Sequence, residues 1–250
     1  MMKIKIIKIG GNAVKNSSAE LCAFIKKSLK EKIPVAVVHG GGPEVSMWLE
    51  KMGIKPRFVD GVRYTDGKTL EVAVSILAGK MNKEVVSLLL KNKIPAIGLA
   101  GVDGKMVLCR RLTELGFVGE PVKIDRKVIE LLAPGEGRGG GFVPVISSIG
   151  LDIKGGGFLN INADVLADFL ARSFKACQLV YVTDVPGVLD ASGKVIEKIT
   201  PRSVVSLIKS GTIKGGMVPK IRSALASVKR GVKEVVITDL KSAGTVVTED

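Results

Sequence analysis

Several residue types that mark particular classes of protein are scarce in this chain of 250 residues. It has one histidine, which excludes a metal site built from several histidines. Its three cysteines are widely spaced, so they indicate neither a disulfide framework nor a cysteine metal site. No apolar run reaches the roughly 20 residues of a membrane helix, and the first residues do not resemble a signal peptide. These features predict a cytoplasmic protein with no membrane partner.

Aromatic residues are also scarce, at 4% of the chain, whereas the formal net charge is +14. A basic chain attracts anionic ligands, acidic proteins or nucleic acid. The lysines and arginines are spread along the sequence, and one Trp and two Tyr offer few rings on which bases could stack. The composition therefore favours an anionic small molecule or an acidic protein over nucleic acid.

Apolar residues make up 46% of the chain, and their spacing predicts strands that alternate with helices. Such alternation predicts a mainly parallel sheet covered by helices on both faces. Ligands of these sheets bind at the carboxyl ends of the strands. The predicted strands are 3–9, 33–38, 94–99, 142–146, 179–185 and 234–238, with a hairpin of 105–109 and 117–124; the predicted helices are 19–31, one starting at Pro43, 68–92, 162–174, 201–210 and 217–230.

Two glycine turns follow the first two predicted strands: KIGG (8–11) and HGGG (39–42). In neighbouring parallel strands both turns would open on one edge of the sheet. Their amides and the helix starts behind them would bind the oxygens of a polyanion. Lys8 is close enough in sequence to reach the same anion. The alternative is that each turn only reverses the chain.

Three further segments lie near predicted strand ends. In NINAD (160–164), Asn160 would hydrogen-bond a polar substrate and Asp164 would hold basic groups; alternatively, Asn162 and Asp164 only cap a helix. IKGGMVPK (213–220) places glycines before a helix that carries Lys220, or forms a C-cap and loop. TDVPGVLD (183–190) would hold a nucleotide base or ribose, or form a Pro-Gly turn.

Arg63 and His39 each allow two interpretations. The stretch 61–69 nearly spells a Walker loop, but five residues rather than four separate its glycines. Arg63 is then either a carboxylate-binding residue on a short hairpin or a solvated surface residue. His39 is a general base or, as we favour, a structural residue at a strand end. The glycine cluster 135–141 precedes a strand, which predicts a flexible loop at the opposite sheet edge.

Together these motifs resemble the amino acid kinase family, in particular its members that phosphorylate the side-chain carboxylate of N-acetyl-L-glutamate in arginine biosynthesis. The quoted segments, with RFVDGVRYTD, GKMNKEVV and GFVGE between them, occur in the order typical of that family from about residue 3 to 238. The resemblance implies an open three-layer αβα sandwich with a mainly parallel central sheet. Residues 1–175 would form an N-terminal lobe for the acyl amino acid and for dimerisation, and 176–250 a C-terminal lobe for ATP.

The resemblance also implies a role for particular residues. ATP would be the phosphoryl donor, Mg²⁺ would be held mainly by the nucleotide phosphates, and the protein itself would supply no metal site. The implied catalytic residues are Lys8, Lys220 and Asp164; the implied substrate-binding residues are Gly41, Gly42, Arg63, Asn160 and Asn162; and the implied ATP-binding residues are Lys8, Gly10, Gly11, Thr183, Asp184, Gly187, Met217 and Lys220.

Two other functions stay open at the level of sequence. A related kinase activity acts on glutamate or aminoadipate attached to an acidic carrier protein, and a basic chain suits such a partner. A non-catalytic regulatory binder on the same fold is a further alternative, although both lysines and Asp164 are present. The resemblance also leads us to expect a homodimer that forms through the helix 68–92.

Overall fold

An eight-stranded sheet forms the centre of the computed structural model, which describes residues 3–10, 17–133, 141–213 and 217–249. The strands of the protein are β1 (Lys5–Ile9), β2 (Val35–His39), β3 (Phe58–Val59), β4 (Val62–Arg63), β5 (Ala96–Ala100), β6 (Val107–Leu112), β7 (Val118–Ile124), β8 (Val143–Ser147), β9 (Ile149–Asp152), β10 (Phe158–Asn160), β11 (Gln178–Val182), β12 (Lys198–Ile199), β13 (Val235–Thr238) and β14 (Thr245–Val247). The large sheet has the order β12-β14-β13-β11-β1-β2-β8-β5. All neighbours in it are parallel except β13 and β14.

Helices cover both faces of this sheet. They are α1 (Ser18–Lys30), α2 (Gly42–Lys51), α3 (Gly67–Val74), α4 (Asn82–Lys91), α5 (Lys127–Leu132), α6 (Ala163–Phe174), α7 (Pro201–Lys209) and α8 (Met217–Lys229). Strand residues alternate between two cores: Ile6 packs with α6 and α8 on one face, and Ile7 packs with α1 and α4 on the other. Strands buried on both faces need continuous apolar runs, which the sequence supplies. The predicted three-layer αβα sandwich is confirmed.

The segment predicted as one helix over 68–92 contains an irregular middle. It begins at Gly67 and ends at Lys91, but Ser75–Met81 form a π-helix between α3 and α4. The Asp66 side chain caps the start by accepting a hydrogen bond from the Thr69 amide at 2.8 Å. Apolar spacing cannot distinguish a π turn from an α turn over so few residues, and π segments often mark functional sites.

Four short strands form a small closed barrel beside the large sheet. They are β10, β7, β6 and β9, and the antiparallel pair β6 and β7 is the predicted hairpin. Two short 3₁₀ turns, Asp103–Lys105 and Thr113–Leu115, flank β6. The glycine cluster 135–141, for which the sequence predicts a flexible loop, lies outside the described residues except for residue 141. No helix in the described ranges is both long and apolar enough to cross a membrane.

Candidate active site

The carboxyl ends of β1 and β2 bring the two predicted glycine turns together. The strands are parallel neighbours, with Ile9 paired to His39, so Gly10 and the glycine nest, defined here as Gly40–Gly42, lie at the same sheet edge. Helix α2 begins within the nest and has a proline in its first turn. The expected convergence of the two turns is confirmed for this part, while Gly11 lies outside the described residues.

A cavity of about 310 Å³ opens at this edge. Its walls come from the nest, the β3–β4 hairpin, the α3 helix with its π continuation, and the start of α6. The predicted site residues that line it are Lys8, Gly10, Gly41, Gly42, Arg63, Asn160, Asn162 and Asp164. Lys8 and Asp164, which are 156 positions apart in sequence, share this site because α6 packs against β1.

Three charged residues meet beside the nest. Lys8 Nζ lies 2.8 Å from Asp164 Oδ1, and both side chains are partly exposed. Burial lowers the pKa of Lys220 from its usual value, the charge of Asp164 opposes that shift, and the charge of Lys8 adds to it. The ammonium groups of Lys8 and Lys220, with Asp164 and the exposed Asp184 as their carboxylate neighbours, are the cations that a bound anion would meet here.

Arg63 has an unpaired donor at the cavity. Its Nη2 donates to the Gly42 carbonyl at 2.7 Å and to the Ser46 hydroxyl at 2.8 Å. Its Nη1 is buried and has no hydrogen-bond partner among the described residues. Burial lowers the pKa of Arg63, yet a guanidinium stays charged in proteins. A buried cationic donor without a partner suits a carboxylate ligand.

The two asparagines of NINAD have different local partners. Asn160 Nδ2 donates to the Thr65 hydroxyl at 3.2 Å, which holds the amide at the cavity wall. Asn162 Oδ1 accepts the Asp164 amide at 2.8 Å, so Asn162 is the N-cap of α6. The capping interpretation is therefore confirmed for Asn162, and its role in substrate binding stays a prediction.

Packing, in addition to its place in the nest, explains why residue 41 is a glycine. A Cβ at Gly41 would lie 2.0 Å from Met81 Sδ and 2.8 Å from Leu77 Cδ2, atoms of the π segment. A Cβ at Gly10 would meet nothing within 4 Å. Close approach of a ligand to the backbone is one expected reason for a glycine at position 41, and contact with the π segment is a second, independent reason.

Lys8 and Gly10 line this cavity, whereas the expected nucleotide-binding residues of the C-terminal part do not. The Thr183 hydroxyl donates to the Val185 carbonyl at 2.9 Å within a turn. A Cβ at Gly187 would lie 2.8 Å from Thr245 Oγ1, so its glycine is explained by packing. Asp184 is exposed and interacts electrostatically with Lys220, and Met217 begins α8. Their roles toward ATP stay predictions.

Sequence reasoning missed the residues that support these side chains. Ser46 and Thr65 hold Arg63 and Asn160, and both are common polar residues without a spacing signal. Tyr181 pairs with Lys8 in the sheet register, is 2% exposed, and its pKa is raised by burial and by the charge of Asp164. A tyrosine within an otherwise apolar strand was the one available signal.

His39 is buried and neutral, as the structural interpretation requires. Its Nδ1 donates to the Gly40 carbonyl at 3.1 Å, and its Nε2 accepts from Asn82 Nδ2 at 3.1 Å. Burial lowers its pKa from 6.5 to about 4, and the positive charge of Lys83 adds to the shift. A base with both nitrogens engaged is poorly placed to take a proton from a substrate.

The shifted pKa of His39 predicts a loss of stability in acid. In the unfolded chain His39 binds a proton near pH 6.5, whereas in the folded chain it does so only near pH 4. Its contribution is therefore complete above pH 6.5 and is lost as the pH falls toward 4, by roughly 3 kcal/mol in total. Urea unfolding across this range measures it, with His39→Gln as control. Equal losses in both proteins would contradict the prediction.

The fold is an α/β sandwich, and its candidate site combines a lysine, a carboxylate and a glycine-rich helix start at one edge of the sheet. The sequence profile of the amino acid kinase family matches residues 3–239. The chain therefore belongs to the amino acid kinase family. Among the described residues, no group of three or more His, Cys, Asp or Glu side chains could hold a metal ion.

Several known proteins are similar to the chain over nearly its full length. Acetylglutamate kinase of Endomicrobium trichonymphae is 43% identical, and the match covers 96% of this chain and 94% of that protein. Acetylglutamate kinase of Agrobacterium fabrum is 40% identical, over 99% of this chain and 87% of that protein. The crystal structure of smu.665 from Streptococcus mutans is 32% identical, with a TM-score of 0.86 and full coverage of both chains.

A more distant structure supports the fold alone. Carbamate kinase from Giardia lamblia, solved with AMP-PNP bound, is 18% identical to the chain. The TM-score is 0.67, and the match covers 100% of this chain and 99% of that one. The overall fold is thus shared with a protein whose sequence has diverged widely.

Proposed function

We propose that this protein is an acetylglutamate kinase, which transfers the γ-phosphoryl group of ATP to the side-chain carboxylate of N-acetyl-L-glutamate. The products are N-acetyl-L-glutamyl 5-phosphate and ADP, and the reaction belongs to arginine biosynthesis. The observation that carries the proposal is one cavity lined by both Arg63, with its unpaired Nη1, and the Lys8–Asp164 pair. The name and the near full-length similarity of the curated relatives support it.

The acyl amino acid occupies the cavity. Arg63 Nη1 donates to its α-carboxylate, because this nitrogen is the buried cationic donor that lacks a partner. Asn160 hydrogen-bonds the acetamido group, and its link to Thr65 keeps the amide oriented. Asn162 lies nearby at the start of α6. The side-chain carboxylate then points toward the glycine nest and Lys8.

The transfer needs alignment more than it needs a base. A glutamate-type carboxylate, with a pKa near 4.3, is ionised at neutral pH. One of its oxygens attacks the γ-phosphorus and forms a new P–O bond. The bond from that phosphorus to the β,γ-bridging oxygen breaks, and its electrons leave with ADP. No proton has to move, which agrees with a site whose one histidine is neutral and engaged.

The main barrier is repulsion between two anions, and the charged residues reduce it. Lys8 and Lys220 stabilise the negative charge that spreads over the transferring phosphoryl group. Asp164 holds both ammonium groups in place through its charge. The amides of Gly41 and Gly42 donate to phosphoryl oxygens, as helix starts commonly do.

The chain is divided into two lobes by function. The N-terminal lobe, 1–175, binds the acyl amino acid, and the C-terminal lobe, 176–250, binds ATP. Every residue that lines the cavity precedes residue 175, and Lys220 and Asp184 belong to the other part. Gly10 and Gly11 contact the phosphates, and Thr183, Asp184, Gly187 and Met217 contribute to the nucleotide side. Mg²⁺ is held mainly by the nucleotide phosphates and neutralises part of their charge.

A second candidate function uses the same chemistry on a larger substrate. The net charge of +14 favours an acidic carrier protein that presents glutamate or aminoadipate. The matches to proteins named acetylglutamate kinase favour the free substrate instead. Turnover with either substrate would contradict a purely regulatory binder.

We also propose that the protein is a cytoplasmic homodimer. Strand β5 is an edge of the large sheet and exposes Ile97, and α4 beside it exposes Leu90, which is 52% accessible. Exposed apolar edges are commonly covered by another chain. The free cysteines suit a reducing compartment. Light scattering gives the mass in solution, and a monomer at micromolar concentration would contradict the dimer.

A substrate panel tests the proposed specificity. We expect kcat/KM for N-acetyl-L-glutamate to exceed that for L-glutamate or N-acetyl-L-aspartate by at least about 100-fold, because Asn160 and Arg63 would be left unpaired or misaligned. Release of ADP measures each rate at saturating MgATP. Equal rates for all three acids would contradict a site built around the acetamido group.

A further inference from the structure

A buried asparagine lies directly after the π segment and has not been given a role so far. Asn82 is the first residue of α4, and none of its surface is accessible. A buried amide must satisfy two donor protons and one acceptor oxygen, or it destabilises the fold. The way in which Asn82 does so connects the π segment with the glycine nest.

The contacts of Asn82 form a continuous path to the nest. Its two Nδ2 protons serve three acceptors, so one proton is shared: His39 Nε2 lies at 3.1 Å, the Val145 carbonyl at 2.9 Å and the Leu99 carbonyl, the most distant, at 3.3 Å. An amide nitrogen can only donate, so His39 Nε2 is the acceptor and carries no proton. The proton of the neutral ring is therefore on Nδ1, which donates to the Gly40 carbonyl at 3.1 Å.

The Gly40 carbonyl controls the direction of a nest amide. In a planar trans peptide the C=O of one residue points opposite to the N–H of the next. The hydrogen bond from His39 to the Gly40 oxygen therefore fixes the Gly41 N–H so that it points away from His39. Gly41 lines the cavity where phosphoryl oxygens are expected.

Two neighbouring glycines show that there is no free space around Met81 and Asn82. A Cβ at Gly98, on the edge strand β5, would lie 1.9 Å from Asn82 Oδ1. A Cβ at Gly41 would lie 2.0 Å from the sulfur of Met81, the residue that precedes Asn82. Lys83 Nζ donates to Asn82 Oδ1 at 3.1 Å, which satisfies the remaining acceptor.

We propose that Asn82 is a positioning residue that sets the tautomer of His39 and, through the Gly40 carbonyl, the orientation of the Gly41 amide. The inference rests on the proposed function for its kinetic consequence. Amides that contact a transferring phosphoryl group act most strongly in the transition state. The loss of Asn82 therefore lowers kcat and leaves KM for N-acetyl-L-glutamate nearly unchanged.

The substitution Asn82→Asp tests this link with almost no change in shape. The introduced carboxylate cannot donate to His39 Nε2, so the ring either rotates away or takes up a proton. We expect kcat to fall by about 10- to 100-fold with KM within about threefold of wild type. The matched control is Asn92→Asp at the end of the same helix, where the side-chain amide donates to the Leu88 carbonyl.

Nitrogen NMR of the imidazole shows which ring nitrogens carry a proton, and a general loss of stability would not change this in the folded protein. His39 is the one histidine of the sequence, so tag-free protein gives a single, unambiguous set of ring signals. Wild type should show a neutral ring protonated at Nδ1 at pH 7. Asn82→Asp should show either an imidazolium or the other tautomer, and Asn92→Asp should match wild type.

The outcomes separate this proposal from the proposed function. An unchanged kcat or an unchanged tautomer in Asn82→Asp would overturn the positioning role. If that variant does not fold, Gly98→Ala displaces the same amide without altering a polar group and should produce the same two effects. An inactive wild type that shows the expected ring signals would contradict the kinase activity, while a changed tautomer in the variant would still support the link.

Discussion

Lys8→Ala should lower kcat by about 100- to 1000-fold, the usual cost of removing one group that stabilises transition-state charge. The ammonium of Lys8 lies 2.8 Å from Asp164 and lines the cavity, so its loss removes positive charge where the phosphoryl group passes. The free energy of unfolding should change by less than about 1 kcal/mol, because the ion pair is partly exposed. Steady-state kinetics and urea unfolding measure the two effects.

Lys5→Ala is the matched control for Lys8. Lys5 is on the same strand, but its ammonium lies near the Ser28 hydroxyl and Glu31 on the α1 side of the sheet. This variant removes the same charge from the chain without touching the cavity, so its kcat should stay within about twofold of wild type. A loss of less than tenfold in Lys8→Ala would contradict the assigned role.

Arg63→Lys should raise KM for N-acetyl-L-glutamate by roughly 30- to 100-fold, since a charged hydrogen bond is worth about 2–3 kcal/mol. Lysine keeps the charge but lacks the planar fork in which Nη2 binds Gly42 and Ser46 and the buried Nη1 is left for the proposed carboxylate. The change acts on substrate and transition state alike, so kcat should fall much less than KM rises.

Arg57→Lys provides the comparison for Arg63. Arg57 is exposed, stacks on the Tyr64 ring at 4.4 Å and does not line the cavity. Its kinetic constants should match those of wild type, and thermal melting of both variants checks that each is folded. An unchanged KM in folded Arg63→Lys would show that this arginine does not bind the α-carboxylate.

The sequence predicted those parts of the fold and site that have a local pattern, either a regular spacing of apolar residues or a distinctive motif at the end of a strand. Short apolar runs predicted the parallel strands, and the register of β1 and β2 placed Lys8 and the glycine nest at one edge, as expected. Arg63 came to attention within a stretch that nearly spells a Walker loop, and the short hairpin expected to carry it is the β3–β4 hairpin. These features depend on local patterns that a single sequence contains.

Other parts of the site depend on contacts that local patterns do not encode. The π segment has the same apolar spacing as an α-helix, so neither its irregularity nor its contact with Gly41 could be predicted. Ser46 and Thr65 became visible only when folding brought them beside Arg63 and Asn160. The ATP-binding roles came from resemblance, and they stay predictions.

Formation of an acyl phosphate on free N-acetyl-L-glutamate distinguishes the proposed reaction from the alternatives. The most direct measurement is a hydroxamate assay, in which hydroxylamine traps that product, with MgATP and wild type compared with Lys8→Ala. We expect hydroxamate with wild type and almost none with the variant. Folded wild type that gives no hydroxamate would contradict the proposed reaction, and product formed only with the acidic carrier-bound substrate would assign the chain to the alternative reaction.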